Sequence, residues 1–110
     1  MSASIFVRFT TPGMHCWPAA TGRRAYLAQA HRHLFHVEVR LPAPVNDARA
    51  IEFHDLRDHA LLLLGGPDFG SASCETIAHD LARQLQERYG ALFVEVTVSE
   101  DGECGATVMV

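Results

Sequence analysis

The sequence has no lysine; all nine of its basic residues are arginines. Schiff-base and lysine-base chemistry are therefore excluded. The formal charge is −4 and no basic cluster interrupts it, which argues against a nucleic-acid backbone as partner. Cysteine is scarce and odd in number. Cys16, Cys74 and Cys104 lie far apart and form no Cys-x-x-Cys pair, so neither a disulfide framework nor a zinc ribbon is expected. They suit a reducing compartment, the cytoplasm. Long apolar runs are also missing. The longest, Ala60–Leu64, is far short of the roughly 20 residues that span a bilayer. Met1–Arg8 has no hydrophobic leader region and no cleavage site, so neither export nor a membrane partner is expected. Apolar content of 48% and charged content of 20% are ordinary for a soluble protein, and residues 1–110 make one domain with a modest core.

What is present is organised around Ala30–Leu41. Leu34, Phe35, Val37, Val39 and Leu41 favour an extended backbone, and no Gly or Pro interrupts them. Alternation puts His31, His33, Phe35, Val37 and Val39 on one face and Leu34, His36, Glu38 and Arg40 on the other. A lone histidine on an apolar strand face is an ordinary packed residue. Two at i and i+2 can share one metal ion if a third ligand joins them, and His15 is the nearest candidate. Three neutral imidazoles bind Zn²⁺ at roughly 2 Å and leave one tetrahedral position open, as in a catalytic or ligand-binding site. His36 faces away, and His54, His59 and His79 fall on expected helices.

Around that strand the elements read in order. Ile5–Phe9 is a first strand, broken or bulged at Thr11–Gly13, with His15 near its end. A Gly/Pro-rich loop and a connector over Arg23–Gln29 lead to the histidine strand, which a turn at 42–47 ends. A brief extended piece, Ala50–Phe53, precedes a helix over His54–Leu64, stopped by Gly65-Gly66-Pro67. Ser73 caps a second helix over Cys74–Tyr89 with an apolar stripe at Ile77, Ala78, Leu81, Ala82 and Leu85. Leu92–Glu100 is a third strand and Ala106–Val110 a fourth. The order β-β-α-α-β-β predicts an α+β domain: an antiparallel sheet with two helices on one face. Glu100 shares its strand face with Leu92, Val94, Val96 and Val98. It is either an ordinary strand-end carboxylate or an acceptor for paired N–H donors on a pterin or purine edge.

The ordered set of motifs resembles the 6-pyruvoyl-tetrahydropterin and 6-carboxytetrahydropterin synthase family over nearly the whole chain. His15 matches the first zinc ligand, and His31-Arg32-His33-Leu34-Phe35 resembles the His-Gly-His-x-Tyr/Phe strand. Glu52-Phe53-x-x-Leu56-Arg57 resembles the Asp-Phe-x-x-Leu-Lys opening of the first helix. Ala72-Ser73-Cys74-Glu75-Thr76-Ile77-Ala78 is similar to Pro-Thr-Ser-Glu-x-Leu-Ala, and Val96-Thr97-Val98-Ser99-Glu100 to Val-x-Val-x-Glu.

The resemblance implies the tunnelling fold (T-fold), zinc on His15, His31 and His33, and Glu100 as the pterin anchor. It also implies homo-oligomers, trimers or hexamers with sites between subunits, where Glu100 would serve a neighbour's zinc. The implied activity is that of a zinc-dependent lyase on 7,8-dihydroneopterin triphosphate, feeding 7-deazaguanine (queuosine) biosynthesis. Two departures stand out. Leu27 takes the place of the family's catalytic Cys, and the segment from Phe53 to Ser73 is too short for its Asp-His pair. Cys16, Asp58 and His59 are the substitutes within the sequence. The alternatives are a zinc-containing pterin- or purine-binding protein without turnover, and a zinc-stabilised oligomer with no small-molecule role.

Overall fold

The two strands that carry the histidines run twelve residues each in the computed structural model: β1 (Ser4–His15) and β2 (His31–Pro42). They pair antiparallel along their whole length, from Ser4 opposite Pro42 to His15 opposite His31. The structure describes residues 2–44 and 46–110; Met1, and Val45 in the turn expected at 42–47, lie outside the described residues. Helices α1 (Phe53–Leu64) and α2 (Cys74–Tyr89) follow, then β3 (Glu95–Glu100) and β4 (Cys104–Met109). The sheet is antiparallel in the order β1-β2-β3-β4, and a 3-10 helix, Gly22–Ala28, fills the β1–β2 connection.

The expected break at Thr11–Gly13 does not occur. Pro12 stands opposite Leu34, Gly13 opposite His33, and the strand continues. The reason lies in the edge position of β1. Met14, two residues on, sends its N–H outward to Pro67 O at 2.8 Å. An N–H at Pro12 would point the same way, so its absence removes no ladder bond. Gly13 lies under the Phe69 ring, where a Cβ would come within 2.5 Å of a ring carbon. The 66–70 loop thus rides along the end of β1, with Phe69 N donating to Met14 O and Cys16 N to Gly70 O.

Other boundaries shift for local reasons. Residues 47–51 turn and bend rather than extend. Glu52 then caps α1, its carboxylate accepting the Asp55 N–H at 2.7 Å. Ser73 caps α2 through the Thr76 N–H, and Gly90 closes it in the left-handed region. β3 begins at Glu95, not Leu92, because the chain is still crossing from the end of α2; Leu92 is 91% exposed. β4 begins at Cys104, two residues earlier than expected. Gly105 permits this, since a Cβ there would meet Val98 O at 2.1 Å.

Alternation on the strands and the 3.6-residue period on the helices meet in one core. Val7, Phe35, Val37, Val39, Val96 and Val98 face Leu56, Ala60, Ile77, Leu81 and Leu85, all buried. α1 packs on β1, and α2 on β3 and β4. Each large side chain buried this way contributes about 1.5–3 kcal/mol relative to exposure. The core ends under Phe35, whose ring forms the floor beneath the histidines.

Candidate metal centre

Register alone assembles the histidines. His15 is the direct cross-strand partner of His31, and His33 is two residues further along the same face of β2. The three ring centroids lie 4.7, 5.2 and 4.9 Å apart, and one nitrogen from each ring lies within 4.8 Å of the other two. His15 is buried and the other two are half-buried.

Each Nδ1 is engaged from behind. His15 Nδ1 donates to Ala72 O at 2.9 Å, His31 Nδ1 to Gln29 O at 2.9 Å, and His33 Nδ1 to Asp101 Oδ2 at 2.8 Å. Carbonyl and carboxylate oxygens only accept, so each Nδ1 carries the hydrogen, and in the neutral ring Nε2 presents a lone pair. Nε2 of His15 and of His33 are buried with no hydrogen-bond partner. Glu100 faces them, Oε1 at 3.0 Å from His15 Nε2 and Oε2 at 3.5 Å from His33 Nε2. Lone pairs converging on a carboxylate repel one another unless a proton or cation lies between them. Three imidazole donors fit a divalent cation, with a carboxylate beside them, and the second set of partners holds the ligands as metal sites require.

Glu100 therefore stands at its own chain's histidines, where the resemblance implied a neighbour's. It follows Val98 on the inward face of β3 and pairs with Phe35 across the sheet. Asp101 begins the next turn with φ 57°, and its Oδ1 also accepts the Leu34 N–H at 2.9 Å. The bond from His33 and then that from Leu34 hold the Asp101 carboxyl below its usual range. Burial pushes the Cys74 thiol up to about 11, and the carboxylates of Glu100 and Glu75 add to the rise.

A cleft of about 330 Å³ opens beside the triad, lined by His15, His31, Cys16, Leu27, Ser73 and Glu75 among others. Cys16 thus borders the histidines. Strand alternation would aim it away, but β1 ends at His15 and the alternation ends with it. Leu27 lines the same cleft and offers no proton.

Asp58 and His59 are elsewhere. Ala72, just before the cap of α2, touches the triad, whereas His59 meets the far end of that helix: Nδ1 lies 2.6 Å from the Tyr89 hydroxyl and Nε2 2.9 Å from Arg88. A 16-residue helix is about 24 Å long, so most of the length of α2 separates the contacts of His59 from the histidines. Arginine only donates, so His59 Nε2 accepts and Nδ1–H donates to Tyr89; neither ring nitrogen is free. Burial raises the Tyr89 hydroxyl above its usual value, against the pull of Arg88. Asp58 is exposed, 3.8 Å from Arg57.

Sequence reasoning missed Asp101. Its one sequence signal is an Asp-Gly pair directly after a strand-end carboxylate. The carbonyls of Gln29 and Ala72 leave no signal at all, because any residue has one.

No sequence profile of a known family matches this chain, and no curated protein sequence does. Solved structures do match. The 6-pyruvoyl tetrahydropterin synthase of Plasmodium vivax superposes with a TM-score of 0.68 at 14% identity, covering 100% of this chain and 98% of that one. A dihydroneopterin aldolase from Burkholderia thailandensis, bound to guanine, gives 0.57 at 17% identity over 99% and 88%. A QueF-like archaeosine synthase gives 0.51 at 20% identity over 96% and 90%. Among the described residues no helix is long and apolar enough to cross a membrane. At these identities the likeness is one of fold: the chain has the T-fold of the 6-pyruvoyl tetrahydropterin synthases, the family its ordered motifs resemble.

Proposed function

We propose that this chain is a zinc-dependent, 6-carboxytetrahydropterin synthase-like lyase that acts on 7,8-dihydroneopterin triphosphate or a related pterin. One observation carries the reading: three imidazoles with fixed Nδ1 hydrogens turn their Nε2 lone pairs to one point beside Glu100. His15, His31 and His33 hold the ion. Bound zinc would supply Lewis-acid polarisation of a side-chain oxygen of the substrate. Glu100 accepts paired N–H donors from the ring, a charge-assisted contact. The guanine bound to the aldolase of this fold supports a pterin- or purine-like ligand.

Cys16 lines the cleft with His15 and His31 and would serve as the proton carrier. Asp58 or His59 would contribute only from another subunit of a trimer or hexamer. The product would enter queuosine biosynthesis in the cytoplasm.

A second reading, binding without turnover, is favoured by Leu27. It lines the cleft with an apolar side chain where general acid–base catalysis needs a titratable group. The test is metal analysis of the purified protein, with His31→Ala/His33→Ala as control, followed by incubation with 7,8-dihydroneopterin triphosphate. About one zinc per chain, lost in the control, together with product establishes the lyase. Zinc without product selects the binding protein. No metal after zinc is supplied rejects both.

A further inference from the structure

The three histidines are not held alike. His15 and His31 donate to backbone carbonyls, which are neutral. His33 donates to a carboxylate, Asp101 Oδ2, at 2.8 Å. Asp101 is itself fixed on three sides. Its Oδ1 takes the Leu34 N–H at 2.9 Å, and its own N–H donates to Leu34 O at 2.8 Å. Its φ of 57° places it at the first corner of the β3–β4 turn, a conformation that Asp and Asn tolerate better than most residues.

We infer that Asp101 is a positioning residue: it locks His33 in the tautomer that presents Nε2 to the metal. The inference rests on the metal reading above and adds to it a residue that no motif marked. Two consequences distinguish it from a purely structural turn contact. A carboxylate behind an imidazole increases its basicity, which a carbonyl does less, and loss of such a partner lowers metal affinity about 10–100-fold. The tautomer is also set by which oxygen or nitrogen faces Nδ1. The Leu34 N–H fixes Oδ1 as an acceptor, so in Asp101→Asn the amide nitrogen must occupy the Oδ2 position. It would then donate toward His33 Nδ1, which carries a hydrogen only in the competent tautomer. The ring must move its hydrogen to Nε2, the ligating atom, or lose the contact. The same isosteric change behind the histidine of a Ser-His-Asp triad produces the wrong tautomer.

The experiment compares wild type, Asp101→Asn and His33→Ala. Zinc affinity is read by competition with a chromophoric chelator, the metal site by the visible spectrum of the Co²⁺ form, and the apo fold by its thermal midpoint. Long-range ¹H–¹⁵N spectra of the apo protein report the tautomer of His33 directly. The expected result is a 10–100-fold weaker zinc affinity for Asp101→Asn and altered Co²⁺ bands, with the apo midpoint within a few degrees of wild type. In the wild type, His33 carries its hydrogen on Nδ1. An Asp101→Asn protein with wild-type affinity and an unchanged Co²⁺ spectrum overturns the inference and leaves the metal reading standing. So does a wild-type His33 with its hydrogen on Nε2, a result that does not depend on the variant folding. Failure of wild type to bind zinc any better than His33→Ala overturns the metal reading, and this inference with it.

Discussion

Two clusters in this molecule place histidines in hydrogen-bond networks, one at each end of α2. Near the start of α2, His15, His31 and His33 each use Nδ1, and Nε2 of His15 and of His33 is left buried with no hydrogen-bond partner. At its end, His59 has both nitrogens engaged, one with the Tyr89 hydroxyl and one with Arg88. A histidine whose two nitrogens are both satisfied has completed its chemistry. A histidine with one nitrogen buried and unpaired is waiting for a ligand, because leaving a buried polar atom unpaired costs about 1–3 kcal/mol. Two such atoms within one cluster make a bound cation the economical solution.

The contrast is sharpest when each cluster is cut. Removing His31 and His33 together should abolish stoichiometric zinc, whereas His59→Ala should leave metal content at the wild-type level. A His59→Ala protein without metal would break the comparison. Zinc should also act as a stabiliser. A ligand that binds only the native state adds about 2.7 kcal/mol at a hundredfold excess over Kd. In a domain of this size that is a rise of roughly 10 °C or more in the thermal midpoint, reversed by chelator and missing from the His31→Ala/His33→Ala protein. Tyr89→Phe tests the other end. It removes a contact that joins α1 to α2, so the expected loss is about 1 kcal/mol of stability, read by urea unfolding, with zinc content unchanged.

Much of this was readable in the sequence, for reasons that particular residues make plain. Ser73, Gly90 and the Ile77–Leu85 stripe set both ends and the buried face of α2, because capping and periodicity are local properties. The alternation from His31 to Leu41 fixed which histidines share a face. Two kinds of information were not local. Pro12 and Gly13 read as a break, yet their strand lies at the sheet edge and under Phe69, neither of which sequence spacing reveals. His59 stood next to Asp58 in a suggestive pair, but only tertiary packing shows that Tyr89 and Arg88 occupy both its nitrogens. Asp101 carries only the local signal of an Asp-Gly pair, because the partner that gives it a role is 68 positions away in sequence.

The smallest effect expected concerns the thiols, and it separates them by burial. Cys104 is exposed and Cys16 half-buried beside the cleft, whereas Cys74 is buried at the first turn of α2. Burial, with the Glu100 and Glu75 carboxylates adding, pushes the Cys74 thiol from 9.0 up to about 11. Thiolate is the reactive form, so iodoacetamide at pH 8 should label Cys104 first, Cys16 more slowly and Cys74 only on unfolding. The same shift has a sign for stability. The native state holds the Cys74 proton more tightly than the unfolded chain does, so its contribution is complete below about pH 9. It fades as pH rises from there toward about 11. Replacing Cys74 with Ala should therefore flatten the loss of stability across that alkaline window, measured by urea unfolding at pH 8, 9.5 and 11. An unchanged slope would mean that the thiol is ionised equally in both states, and that the first turn of α2 is open to water where this structure buries it.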